Sequence, residues 1–335
     1  MAKSPSYKSI NDDEIGKGLK LAVGNKALAT KFWQPLTQYP ATLILDENYS
    51  RAQQYLLKLL HKCKSIDSLS YKEIHKGNPY YFLGIASYMM NDFETATFFI
   101  DSSVSEDLRY GADAINNPKP STRFLCLEGD KDDQAAKQLT QFTERKVQRA
   151  LNHYNSMIGR PSHISDLTIP DLRDKFLFPS LSPKNPSGWR TLATAFISFF
   201  IEWDFRNEFF ELRPGEGTSE PFYLHLFKGC VLFESLLKEN PKKKPTGNTL
   251  GRVLGDLYQE LGLRSIPKIS ATFKDILRDI PSADNNLETA ICFSGKVRNT
   301  TGHRLSWDQH INQSDYKRLF EMIASSSLHT IACLY

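Results

Sequence analysis

The stretch that decides the fold is residues 222–238, FYLHLFKGCVLFESLLK. Apolar side chains recur there every three or four positions, as at Leu226, Cys230 and Leu237. This spacing places them on one face of a helix, so the stretch predicts an amphipathic α-helix. It is bounded by RPGEGTSEP at 213–221 and by NPKKKPTG at 240–247, whose prolines and glycines are typical of linkers and loops.

Working outward, almost every strong periodicity in the chain is also helical. The sequence therefore predicts an all-α protein. The segments with this spacing are 49–63, 79–86, 93–104, 130–157, 189–210, 249–261, 269–280 and 287–297, followed by a last helix that begins at Asp315.

Proline and glycine distribution predicts three regions. Residues 1–120 form a helical region that ends near the NNPKPS break at 116–121. Residues 121–219 form a helical middle region with a connector at 159–188 that contains five prolines. Residues 220–335 follow the clearest linker and form a compact C-terminal helical domain.

The segments at 79–86 and 93–104 predict an αα-hairpin, because a polar break at 91–92 separates them. Leu83, Gly84 and Ala96 resemble a tetratricopeptide repeat, in which small residues let two helices approach closely. The resemblance covers about one repeat, and Ser87 stands where that family has an aromatic residue. Such a region would bind a protein partner in its groove, or would serve only as packing scaffold.

Composition excludes several classes of protein. The chain has 335 residues, 40% of them hydrophobic and 24% charged, which is typical of a globular protein. A net charge of +4 excludes a global polycation, so contact with nucleic acid would need a local basic patch. Basic residues that could bind RNA gather at Lys296 and Arg304 and in the run Lys242, Lys243 and Lys244, although such a run is more often a solvated loop.

The five cysteines are far apart and form no CxxC pair, which argues against a zinc site or a disulfide framework. The first residues, MAKSP at 1–5, lack the apolar stretch of a signal peptide, so none is expected. The given sequence shows no phosphate-binding glycine loop and no metalloprotease motif. The longest apolar run, residues 192–201, is about half the length of a membrane span. We therefore expect a cytoplasmic protein with no membrane contact, no metal and no cofactor.

The candidate catalytic residues lie in KVRNTTGH, residues 296–303. Arg298 is followed at once by Asn299 and, five positions on, by His303. An imidazole can transfer a proton near neutral pH, and a guanidinium can hold a phosphate. An overlapping pair, Arg304 and His310, has similar spacing but lacks the asparagine. Since about one such pair is expected by chance in this chain, spacing alone is a weak signal.

An arginine, a polar residue and then a histidine at this spacing, late in a small helical domain, resemble the HEPN superfamily. The resemblance covers residues 220–335 and implies a bundle of four or five helices. It also implies metal-independent RNA endonuclease activity at a site shared by two subunits. By this resemblance His303 would be the general acid or base, Arg298 the phosphate clamp, and Asn299 an orienting group. Gly302 is expected to break the helix and turn His303 back towards Arg298.

Two departures narrow the placement within that superfamily. Leu305 stands where members paired with a nucleotidyltransferase antitoxin often have tyrosine, and no glycine-rich sensor motif precedes the domain. A helical half fused to such a domain looks like a prokaryotic antiviral or stress-defence effector. The alternatives are a non-catalytic adaptor whose C-terminal domain only dimerises or binds RNA, and a helical scaffold unconnected with RNA. In either, Arg298 would simply pair with a carboxylate.

Overall fold

The computed structural model confirms the all-α prediction for the part of the chain that it describes. Its regular elements there are helices, and one isolated parallel bridge joins Ile158 to Asn286. Of residues 134–136, 187, 302 and 303 it describes the backbone but not the side chains. The described residues are 11–111, 113, 116–129, 134–182, 185, 187–212, 218–303 and 310–335.

The chain divides into two compact units, residues 1–141 and 142–335. This division differs from the three regions that the sequence predicts, because residues 142–219 and 220–335 belong to a single unit. The reason is aromatic packing across residue 219. Trp203 stacks on Phe320 with ring centroids 4.2 Å apart, and Phe210 stacks on Phe222 at 4.0 Å.

Unit 1 contains seven complete helices among its described residues. The sequence did not predict α1, α2, α4 or α7, and two prolines inside α2, Pro35 and Pro40, argue against a helix there. Burial compensates for them, since α2 places Trp33 in the core, where its Nε1 donates to the His75 carbonyl at 2.7 Å. The helices are α1 (Asp12–Ala22), α2 (Lys26–Leu45), α3 (Tyr49–Ile66), α4 (Ser68–Glu73), α5 (Gly77–Met89), α6 (Phe93–Arg109) and α7 (Pro120–Leu125).

The predicted hairpin is formed by α5 and α6. Asn91 turns the chain between them with a φ of 60°, a conformation that asparagine tolerates better than most residues. Gly84 allows the two helices to approach closely, because a Cβ at that position would lie 2.7 Å from Ile100 Cδ1 and 3.3 Å from the Ala96 carbonyl oxygen. The small residues therefore act as the sequence indicated.

Near the C-terminal end of α6, the buried carboxylate of Asp107 connects this helix to the start of α2 and to the residues before α5. Asp107 accepts from Lys26 Nζ at 2.5 Å and pairs with His75 Nε2 at 3.0 Å. Burial acts to raise the pKa of Asp107, but the hydrogen bonds from His75 and Lys26 outweigh it and leave that pKa below its usual value. Charge and hydrogen bonding are satisfied inside this cluster, which gives it a structural role.

Unit 2 begins within α8 (Gln134–Ser156) and contains every later helix. The helix expected at 269–280 begins only at Phe273, because Thr272 and Asp275 form a capping box there. The helix expected at 249–261 ends at Leu257. No helix in the described part is long and apolar enough to cross a membrane. The later helices are α9 (Ile169–Leu172), α10 (Phe178–Ser180), α11 (Ser187–Leu212), α12 (Glu220–Glu239), α13 (Leu250–Leu257), α14 (Phe273–Asp279), α15 (Leu287–His303) and α16 (Gln313–Leu334).

Helix α16 is the centre of unit 2, and its second half is buried on all sides. Polar residues in such a position are expected to find partners within the protein; Ser326 and Thr330 do, whereas the buried hydroxyls of Ser325 and Ser327 have no hydrogen-bond partner in the described part of the chain. Ser326 Oγ lies 2.9 Å from Ser294 Oγ of α15 and also donates to the Met322 carbonyl. Thr330 donates to the Ser326 carbonyl at 2.9 Å. These bonds allow a helix with polar residues to fill a core position.

Two buried histidines connect the unit's elements through both ring nitrogens. His225 Nε2 donates to the Phe199 carbonyl at 2.9 Å, and its Nδ1 accepts from Tyr316 at 2.7 Å. His329 Nε2 donates to the Leu261 carbonyl at 2.8 Å, and its Nδ1 lies 3.1 Å from the Tyr154 hydroxyl. Burial lowers the pKa of each histidine to about 4, so both are neutral at pH 7.

Because both histidines are buried in the neutral form, we predict that the folded protein loses stability in acid. An unfolded histidine has a pKa of about 6.5, so between pH 6.5 and pH 4 the unfolded chain binds protons that the folded chain does not. Stability is therefore complete above pH 6.5 and is lost as the pH falls towards 4, by on the order of 3 kcal/mol for each histidine. Urea unfolding at several pH values should show the loss, with a smaller slope in His329→Gln than in the wild-type protein. Equal slopes would contradict the assignment.

Candidate active site

The predicted catalytic motif lies in the last two turns of α15. The helix continues through Gly302 to His303, so the expected break at Gly302 is wrong. At 100° per residue, positions 298 and 303 lie about 140° apart around the helix axis. The side chain of His303, and Arg304 entirely, fall outside the described residues.

Arg298 is held by a buried carboxylate. Its Nε donates to Glu234 Oε2 of α12 at 2.5 Å, and Glu234 is only 5% exposed. Lys238 Nζ lies 2.7 Å from the other carboxylate oxygen, so Glu234 is flanked by two cations. The Arg298 side chain is 27% exposed, and its terminal nitrogens, Nη1 and Nη2, form no hydrogen bond within the described part of the chain. Glu234 therefore orients the guanidinium through one edge.

The residues next to Arg298 bind a neighbouring segment, residues 264–271. Asn299 Nδ2 donates to the Ile269 carbonyl at 3.2 Å, and Thr300 Oγ1 donates to the Ala271 carbonyl at 3.1 Å. About two turns earlier on α15, the Cys292 thiol donates to the Lys268 carbonyl at 3.0 Å. Asn299, expected to orient a catalytic group, thus uses its amide nitrogen to hold this segment against the helix.

A glycine makes this close approach possible. A Cβ at Gly295 would lie 2.4 Å from Ile269 Cγ2 and 3.0 Å from Ile269 Cβ. Both distances are shorter than a normal carbon–carbon contact of 3.5–4.0 Å. Gly295, Asn299 and Thr300 together keep the segment on α15 beside the arginine.

The basic residues proposed for RNA contact are dispersed. Lys296 Nζ lies over the Phe293 ring at 4.8 Å. In the loop after α12, Lys242 donates to the Cys333 carbonyl at the end of α16, and Lys243 pairs with Glu260 at 2.6 Å. Lys244 pairs with Glu239 at 3.4 Å. These contacts bind the loop to its own surroundings.

The structure also reveals a groove that the sequence did not indicate. Helices α8, α11 and α16 enclose a cavity of about 290 Å³, and a second cavity of about 340 Å³ shares His153, Lys317 and Glu321 with it. We call the two together the α16 groove. Its other polar or aromatic lining residues are Lys146, Arg149, Trp203, Asp204, Asn207, Asn285, Ser314, Arg318 and Phe320.

The α16 groove carries more positive than negative charge: four lysines and arginines against two acids. Asp204 is compensated from two sides, with Arg149 at 3.0 Å and Lys146 at 3.6 Å. Lys146 also donates to the Ile201 carbonyl at 2.8 Å, and burial lowers its pKa. Lys317 is held less tightly than Lys146. Its distance to Glu321 is 4.0 Å, and the side chain of Lys317 is 61% exposed.

Helical spacing could have suggested part of this groove. Lys146, Arg149 and His153 recur at intervals of three and four, so they share one face of α8. In the predicted helix at 189–210, Phe196, Phe199 and Phe200 are buried. Trp203 is only half-buried and faces the groove, which a single helical pattern does not reveal.

No family model, curated protein or solved structure matches this chain. Within the described part of the chain, no group of three or more histidine, cysteine or acidic side chains is arranged to hold a metal ion. The five cysteines are free thiols, and burial raises the pKa of Cys292, the one nearest the motif. The candidate site is therefore argued from its own geometry.

The close contact at Gly295 generates a test of this local structure. Gly295→Ala should lower the free energy of unfolding by about 1–3 kcal/mol, because the new methyl group overpacks against Ile269. It should also make the 264–271 segment more sensitive to limited proteolysis. Gly255→Ala is the matched control, since its methyl group would lie at an ordinary 3.8 Å from Ile266 Cδ1. That variant should gain up to about 1 kcal/mol; equal effects would contradict the packing argument.

Proposed function

We propose that this protein is a metal-independent RNA endonuclease of the HEPN type, a homodimer that acts in prokaryotic antiviral or stress defence. Arg298 and His303 of each chain would form the site. The helices of unit 1 would bind a protein partner that directs or restrains the activity. The resemblance of residues 296–303 to the HEPN motif supplies the reaction type.

The observation that carries the proposal is the attachment of Arg298. Glu234 holds its Nε at 2.5 Å from within the core. A guanidinium has five N–H donors in a planar fork, so the Nη1 and Nη2 edge can still bind two phosphate oxygens. Because Glu234 orients the guanidinium before RNA binds, little side-chain entropy is lost when the arginine stabilises the negative charge that develops on the phosphate.

The chemistry requires two proton transfers. The ribose 2′-oxygen attacks the adjacent phosphorus while a base accepts its proton, and the P–O bond to the 5′-oxygen breaks while an acid supplies a proton to that oxygen. The products are a 2′,3′-cyclic phosphate and a 5′-hydroxyl. His303 of one chain can fill one role and the same residue of a second chain the other. A two-fold dimer brings both into one site.

One observation favours a second candidate, a non-catalytic adaptor. Because α15 remains helical to His303, positions 298 and 303 do not share one face of the helix. In such an adaptor the pair of Arg298 with Glu234 would be structural only. The two candidates make opposite predictions for RNA cleavage.

The decisive test is RNA cleavage in the presence of EDTA. The wild-type protein should cut single-stranded RNA and leave a 2′,3′-cyclic phosphate. Arg298→Ala and His303→Ala should each lower kcat by roughly 100-fold or more, the usual contribution of a general acid or base or of a charge-stabilising group.

Arg278→Ala is the matched control, because Arg278 is an exposed arginine whose ion pairs, among the described residues, are with Asp275 and Asp279. It should retain full activity. Circular dichroism must show that all variants fold. If folded wild-type protein cuts no RNA, or if all variants cut equally, the endonuclease proposal is wrong.

The dimer can be tested separately. Sedimentation velocity of the wild-type protein at micromolar concentration should give twice the mass of the chain. His303→Ala should sediment in the same way, since it removes a proton-transfer group and not the interface. A monomeric wild-type protein that still cuts RNA would refute the composite site.

A further inference from the structure

We propose that the α16 groove binds unpaired nucleotides of the RNA, so that the protein selects single-stranded substrate. The inference rests on the proposed function, since it names the substrate class and the surface that holds it. It depends on the arrangement of residues 146–153 of α8 with α11 and α16, all within unit 2.

The first feature that favours nucleotides is the volume of the two cavities. The two adjoining cavities measure about 290 and 340 Å³, near the lower end of the volumes of small-ligand pockets. Each is suited to one nucleotide rather than to a folded partner. They share three lining residues, so a chain of two nucleotides can pass from one to the other.

The second feature is the presence of exposed cations in the groove. The cations Lys317 and Arg149 lie on different helices of the first cavity, with side chains 61% and 65% exposed. Phosphates can therefore reach both. The His153 ring, between the two cavities, forms no hydrogen bond within the described part of the chain. Glu321 can accept from ribose hydroxyls or base amino groups, which an acidic peptide does not offer; Asp204 is already paired with Arg149 and Lys146.

The third feature that favours RNA is the aromatic ring of Trp203 at the edge of the first cavity. Trp203 lies nearly parallel to Phe320, with ring planes 12° apart and centroids 4.2 Å apart, so its ring is held rigidly at the edge of the first cavity. Unpaired bases stack on such rings. One turn further along α11, Asn207 Oδ1 accepts from Gln313 at 3.3 Å, which leaves its amide N–H donors for a base edge. A base inside a duplex cannot enter a cavity of this size.

The test measures RNA binding apart from cleavage. Full-length His303→Ala protein is titrated into a fluorescein-labelled ten-nucleotide single strand, into the same strand annealed to its complement, and into an acidic peptide of equal charge. Lys317→Gln and Arg149→Gln should each weaken binding of the single strand roughly three- to tenfold. Each should also reduce the slope of log K against log salt concentration by about 0.7, the value for one lost phosphate contact.

Lys175→Gln is the matched control, an exposed lysine that does not line the groove, and its binding should be unchanged. Trp203→Leu should weaken binding about tenfold without altering the salt slope, provided that circular dichroism shows a folded protein. If Trp203→Leu fails to fold, Lys317→Gln and Arg149→Gln still test the proposal, because they change exposed side chains.

The outcomes separate the two proposals. Weaker binding in the groove variants, without cleavage by the wild-type protein, would support the groove and refute the endonuclease. Normal binding in both charge variants of a protein that cuts RNA would refute the groove and leave the endonuclease standing. Equal affinity for the duplex, or tighter binding of the acidic peptide, would also overturn the groove proposal.

Discussion

Unit 2 depends on the burial of α16, a central helix that is far from wholly apolar. Its buried half includes Ser326, His329 and Thr330, and each of them has a hydrogen-bond partner. An unpaired polar group in such a position costs about 1–3 kcal/mol. Ser326 is bonded to α15 and His329 to the chain after α13, so these neighbours must be in register with α16. Thr330 bonds within the helix, and the buried hydroxyls of Ser325 and Ser327 have no partner in the described part of the chain. Packing of the unit is therefore specified by polar contacts as well as by apolar area.

This constraint also determines where chemistry can occur. The face of α15 that contacts α16 is committed to packing, through Ser294 among others. Arg298 contacts α12, and Asn299 and Thr300 contact the 264–271 segment. Within the described part of α15, the Nη1 and Nη2 edge of Arg298 keeps donors that packing does not use. The proposed reaction needs two proton transfers, and one His303 for each chain is why the proposal requires two subunits.

Much of the fold was predictable because burial follows periodicity. The segments at 49–63, 93–104 and 222–238 are helices at nearly the predicted residues, since their apolar stripes require a buried face. Helix α2 was not predicted, because its prolines oppose a helix locally while the packing of Trp33 supports one. The start of α14 was misplaced because the capping box of Thr272 and Asp275 outweighs the apolar pattern of Ile269.

The candidate site was less predictable than the fold. Spacing singled out Arg298, but it could not reveal that Glu234, 64 positions earlier, holds its guanidinium. The α16 groove was missed because its residues come from three helices that are distant in sequence. Each helix alone shows an ordinary charged or aromatic face, and only the fold brings the faces together.

Trp33 of unit 1 and Trp203 of unit 2 are placed differently, whereas Trp189 of unit 2 is buried as Trp33 is. Trp33 is the only tryptophan in residues 1–141, and it is fully buried and hydrogen-bonded to a carbonyl. Trp203 stands half-buried in unit 2, stacked on Phe320. Indole emission shifts to longer wavelength in contact with water, so the two rings have different spectral environments. A protein that keeps Trp33 alone would report the melting of unit 1 by fluorescence, and one that keeps Trp203 alone would report events at the groove.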